Sequence, residues 1–100
     1  MVTLDWSNQI VDDIDNIAEY LSQYSKPLAE TFVEKIFEKA DLLRNFPEMG
    51  RMVPEVESPK VRELIYKQYR IVYQIVSNNR IRMLTVYHSA HPLSLNSLFS

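Results

Sequence analysis

The chain contains no cysteine and a single glycine, Gly50. Without cysteine there is no disulfide framework, no zinc ribbon and no thiol nucleophile. That usage suits a reducing compartment, and a cytoplasmic protein is the expectation. One glycine leaves no glycine-rich phosphate cradle of the dinucleotide or P-loop kind. No apolar run reaches the roughly 18–20 residues of a membrane span. The first ten residues lack the basic stretch and apolar core of a secretory leader, so none is expected. No cofactor, no metal and no membrane partner is expected.

What is present describes an ordinary globular domain. Hydrophobic residues make up 46% of the 100 and charged residues 24%, which suits a single domain over 1–100. The net charge of −2 conceals a split. Residues 1–48 hold ten acidic and four basic residues, a balance of −6. Residues 49–100 hold three acidic and seven basic residues, a balance of +4. Such asymmetry points the basic half toward an acidic or polyanionic partner. Acidic helices that precede a basic sheet give the same split with no partner at all.

Val2 to Trp6 alternates in part and reads as a short first strand. Ser7 is a good helix N-cap. Ile10, Ile14, Ile17, Leu21 and Tyr24 then recur at helical steps, with the aspartates Asp12, Asp13 and Asp15 on a solvated side. Pro27 suits the first turn of a second helix. Ala29, Phe32, Val33, Ile36, Ala40 and Leu43 form its stripe, and it runs to about Asn45. Phe46 to Arg51 is a turn-rich exit, and residues 52–60 read as an extended loop. Strands follow at Val61–Tyr66, Tyr69–Val76 and Arg80–His88, joined by tight turns at Lys67-Gln68 and Ser77-Asn79. Residues 89–100 form a ragged tail. The order is β-α-α-β-β-β, an α+β fold with a helical hairpin on a mostly antiparallel four-stranded sheet.

Strict alternation sorts the strand side chains onto two faces. Tyr69, Ile71, Tyr73 and Ile75 share one face; Arg70, Val72, Gln74 and Val76 share the other. In the last strand Arg82, Leu84, Val86 and His88 share a face. Matching the less apolar sides brings Arg70, Gln74, Arg82 and His88 together, with Arg62 joining from the preceding strand. Arginine forks on such a face suit phosphates or an acidic segment. His88 suits general acid–base work near neutral pH. Solvated arginines and a structural histidine are the plain alternative. His88 and His91 alone are too few for zinc. Tyr66, Tyr69 and Tyr73 read as core and rim packing rather than a base-stacking surface.

Three stretches, in this order, resemble the RelE/ParE superfamily of bacterial type II toxins. They are Phe46-Pro47-Glu48-Met49-Gly50-Arg51, Val61-Arg62-Glu63-Leu64, and Tyr69-Arg70-Ile71-Val72-Tyr73 followed by Ile81 to His88. The resemblance covers nearly the whole chain. It implies a plasmid-stabilisation type of toxin, held in a hetero-oligomer by a cognate antitoxin. RelE-type members cut messenger RNA on the ribosome; ParE-type members share the fold and poison DNA gyrase. Arg70 falls where the RNA-cutting branch keeps a phosphate-contacting arginine, and His88 matches a histidine of one nuclease subgroup. Both are also common in ParE-like members. Other nuclease positions mismatch: a second arginine falls near Ser89, a catalytic tyrosine near Leu95 and a lysine pair near Val61 and Glu63. His91 stands where many relatives have arginine.

A net-acidic chain is also a poor general binder of RNA backbone, since that binding scales with neutralised phosphates. The expectation is therefore a ParE-like gyrase poison, with the ribosome and mRNA as the alternative target and a degenerate non-toxic member as a third reading. The expected binding set is Arg51, Arg62, Arg70, Arg82, His88 and His91, with Arg70 and His88 catalytic in the nuclease alternative.

Overall fold

A computed structural model describes residues 2–90 of the chain. Its elements are β1 Thr3–Trp6, α1 Asn8–Ser22, α2 Lys26–Leu42, β2 Arg51–Met52, β3 Val61–Tyr66, β4 Tyr69–Ser77 and β5 Arg80–His88. The expected α+β order is present, with one strand more than the four expected. The two-residue β2 pairs with Glu63 and Arg62 of β3. So short a pairing leaves no alternation to read in a sequence. The sheet runs β1-β5-β4-β3-β2. β1 lies parallel to β5, and the other neighbours are antiparallel.

Local chemistry sets the helix starts. The Ser7 hydroxyl oxygen accepts from the Ile10 N–H at 3.1 Å, and Ser25 accepts from the Leu28 N–H at 3.2 Å. Each satisfies one of the donors orphaned at a helix N-terminus. α1 stops at Ser22, so Tyr24 falls beyond its stripe and is 71% exposed. It meets Tyr20 edge-on instead, ring centres 5.4 Å apart. α2 ends at Leu42, three residues earlier than its pattern suggests. The Arg44 and Asn45 N–H groups then bond back only three residues, to Asp41 and Leu42.

The main core lies between the hairpin and one sheet face. Ile10 and Ile14 of α1 join Phe32, Ile36 and Ala40 of α2 against Leu64, Ile71, Tyr73, Ile81, Met83 and Val86. A second, smaller cluster of Val53, Val61, Val72 and Leu84 lies apart from it, with Val56 and Tyr87 at its margin.

A β-bulge in β5 decides which residues share a face. Val72 pairs with Thr85 and Tyr73 with Met83, which leaves Leu84 extra. An extra residue on one strand shifts its alternation by one. Leu84 thus joins the second cluster, while Val86 joins the helix-side core. The backbone groups that the bulge frees have partners from the first helix and its cap. The Ser7 hydroxyl donates to the Leu84 carbonyl at 2.8 Å. The Val86 N–H donates to Asp13 Oδ2 at 3.1 Å, and the Thr85 hydroxyl donates to the same oxygen. Asp13 therefore does more than solvate a helix face.

Candidate functional site

On the face away from the helices, cross-strand pairing collects charged side chains from three strands. Arg51 of β2 lies opposite Glu63 of β3. Arg70 of β4 lies opposite Tyr87 of β5, its guanidinium 5.1 Å from the centre of that ring. The connection after β2 crosses this face, anchored by the buried Val53. The Val53 N–H donates to the Val61 carbonyl at 3.2 Å, and the connection delivers Glu55.

The result is a closed ion network. Arg70 Nη1 and Nη2 each donate to one oxygen of Glu55 at 3.0 Å. Arg70 Nε donates to Glu63 Oε2. Arg51 Nε donates to Glu63 Oε1 at 2.7 Å. Glu63 is fully buried and Arg70 nearly so, whereas Arg51 is largely exposed. Two cations meet two carboxylates, so the cluster is neutral. The hydrogen bonds that Arg70 donates to Glu55, and then the one it donates to Glu63, hold its guanidinium still higher than its ordinary range. The same fork holds Glu55 below the usual carboxylate range. Burial pushes the Tyr87 hydroxyl up to about 12. That hydroxyl has no hydrogen-bond partner among the described residues.

The other expected site residues scatter. His88 lies opposite Tyr69, and their rings meet edge-on with centres 5.5 Å apart. Tyr69 in turn packs on Phe32 of α2 at 5.0 Å. His88 is therefore on the helix side of the sheet, and Arg70 is on the other. The expected pairing of Arg70 with His88 fails because the Leu84 bulge reverses the alternation between them. His88 Nε2 lies 3.1 Å from Gln68 Oε1, and its Nδ1 accepts from the Ala90 N–H. It borders a concavity of about 550 Å³ that Ile17, Tyr20, Tyr69 and Val86 also line.

Arg62 is likewise turned away from Arg70. It lies opposite Tyr73, on the helix-facing side. Its Nε donates to the Pro59 carbonyl at 2.9 Å, and Nη1 to those of Gly50 at 2.9 Å and Glu48 at 3.3 Å. Arg62 thus ties two loops to the sheet edge. Arg82 lies opposite Gln74, on the same face as Arg70 and exposed. Gln74 stands four positions along the strand from Arg70, about 13 Å. Arg82 has no ion-pair partner among the described residues. His91 and the rest of the expected tail beyond Ala90 lie outside the described residues.

Glu55, Glu63, Tyr87 and Asp13 complete these arrangements without having stood out in the sequence. Only Glu63 left a signal. In Val61-Glu63-Ile65 it is the one charged residue on an apolar strand face, and a buried carboxylate requires a cation. Arg70, one strand away, is that cation.

Comparison with known proteins places these features among relatives. A family model described as the ParE toxin of the type II toxin–antitoxin system parDE matches residues 4–92. Toxin RelE2 of Caulobacter vibrioides is 23% identical over 90 residues, covering 90% of this chain and 98% of that protein. A solved structure described as a chromosomal ParDE TA system from P. aeruginosa aligns with a TM-score of 0.71 at 23% identity. That alignment covers 88% of this chain and 96% of the other. At that identity the structural match speaks for the fold.

Proposed function

The chain belongs to the ParE toxin family of type II toxin–antitoxin systems, and from that premise we propose that it arrests growth by binding and poisoning DNA gyrase. A cognate antitoxin neutralises it in a hetero-oligomer. The observation that carries this reading is the state of Arg70. Its fork is filled by Glu55 and Glu63, and His88 faces the other side of the sheet. RNA cleavage requires a general acid or base beside positive charge that is available to the phosphate in the transition state. Arg70 and His88 do not converge, and the charge on Arg70 is balanced within the protein. A toxin that works by surface binding has no need of such a pair.

Two assays on the purified protein test the proposal. Gyrase supercoiling is inhibited, and translated messenger RNA remains uncut in primer extension. Codon-phased cuts that disappear in Arg70→Ala would overturn it in favour of ribosome-dependent RNA cleavage. An intact supercoiling reaction with intact RNA would favour a non-toxic member of the family.

A further inference from the structure

Within residues 49–100 Arg51 and Arg70 are paired with Glu55 and Glu63, whereas most carboxylates of residues 1–48 stand outside any ion pair of the described residues. Two shallow grooves run along α2 and merge at Val33 and Glu34. One lies between α1 and α2, floored by Ala18, Ala29 and Val33, with a volume of about 570 Å³. The other lies between α2 and β1, floored by Leu4, Trp6 and Phe37, with a volume of about 580 Å³. From Lys26 to Asp41 the combined groove extends about 22 Å at the helical rise per residue.

Its floor is apolar, and its rim carries Glu19, Glu30, Glu34, Glu38 and Asp41 against two cations, Lys26 and Arg44. Phe37 is 49% exposed and packs on Trp6 with ring centres 4.8 Å apart. Glu30, Glu34 and Glu38 follow one another at four-residue steps on the α2 side of the rim, and Glu19 faces them from α1. Lys35 takes Glu38 at 3.1 Å, and Arg44 takes Asp41 at 2.9 Å. Glu19, Glu30 and Glu34 have no ion-pair partner among the described residues. Like charges at four-residue spacing destabilise a helix. A row of this kind beside exposed aromatic surface is relieved by cations brought from outside.

We propose that this groove is a docking site for a basic amphipathic helix of a partner protein. The partner's apolar stripe lies on Val33, Phe37 and Trp6, in the helix-in-groove manner. Lysines or arginines at four-residue spacing pair with Glu30 and Glu34. The arginines suit an acidic partner; the carboxylates left unpaired along this groove call for the opposite charge. Nucleic acid is excluded from this face by its sign.

Trp6 is the only tryptophan in the chain and lies in the groove, so its fluorescence reports binding directly. The probe is a helical peptide of about 18 residues, long enough to hold its own helix, with leucines along one stripe and lysines beside it. The full-length protein binds it saturably with a shift in Trp6 emission. Binding weakens at least tenfold in the doubly substituted E30K/E34K protein and in Phe37→Ser, both checked for native circular dichroism. Three results overturn the proposal: no saturable binding by the wild type, equal binding by E30K/E34K, or equal binding of a lysine peptide that lacks the leucines. The last would mean charge attraction without a groove. If Phe37→Ser misfolds, the E30K/E34K comparison alone decides, because both glutamates are exposed.

Discussion

Glu63 and Arg70 form an ion pair across adjacent strands with the Glu63 side chain fully buried and that of Arg70 only 11% exposed. A carboxylate in that position is stable only while its cations remain. Removing one partner leaves the other charged and buried, which typically costs about 3–5 kcal/mol. Glu63→Ala should therefore lower the urea midpoint strongly, and a wild-type midpoint would show the pair to be dispensable. The double variant E63L/R70M removes both charges together. Its stability should lie much nearer the wild type, since apolar replacement of a buried pair is often neutral.

Acid should weaken the same network through Glu55. Its carboxyl is held below the usual range by the Arg70 fork, so the folded state binds its proton less readily than the unfolded chain. The stability this contributes is fully present above the unfolded pKa of about 4.3. It is lost as pH falls through the lower folded value. Unfolding free energy measured from pH 6 to pH 2.5 should fall less steeply in Glu55→Gln than in the wild type. Identical slopes would mean that the fork does not persist in solution.

Gly50 is required for space rather than for an unusual backbone angle. A Cβ there would lie 2.6 Å from the Glu63 carbonyl oxygen and 2.7 Å from the Tyr73 hydroxyl. That hydroxyl also accepts from the Gly50 N–H at 3.0 Å and donates to the Pro47 carbonyl at 2.8 Å. Gly50→Ala should destabilise by about 1–3 kcal/mol, the usual range for overpacking. Paired with Tyr73→Phe, part of that cost should vanish, because the clashing oxygen is gone. Strict additivity in the double-mutant cycle would refute the contact.

Asp13→Ala tests the bulge. The substitution leaves the Val86 N–H and the Thr85 hydroxyl without their acceptor. An unsatisfied buried group costs about 1–3 kcal/mol. Native-state hydrogen exchange should show the Val86 amide losing protection well before its neighbours in β5. Uniform loss along the strand would indicate global destabilisation instead.

Element order was legible in the sequence because each stripe is long. Ile10 through Leu21 and Phe32 through Leu43 repeat at helical steps, and Tyr69 through Val76 is β-branched and aromatic nearly throughout. The candidate site was less legible because it depends on one extra residue. Leu84 looks like any strand leucine, yet it sends Arg70 and His88 to opposite sides. Its cause lies some 70 residues upstream, in Ser7 and Asp13, whose side chains satisfy the bulged backbone. The turn at Lys67-Gln68 was obscure for a similar reason. Without glycine, Lys67 itself adopts a φ of 53°, a conformation that its side chain does not announce.

The pairing of β1 with β5 has a consequence for synthesis. Thr3 pairs with Arg80 and Trp6 with Met83, so β1 waits for a strand made only after the helical hairpin and strands β2, β3 and β4 of the sheet. At roughly 5–20 residues per second, the helical hairpin exists for several seconds before its sheet does. During that time the apolar stripes of both helices lack the surface that buries them. The sheet that carries the Arg70 network therefore closes only when β5 is made, and a chain cut short before Arg80 lacks the strand that joins β1 to β4.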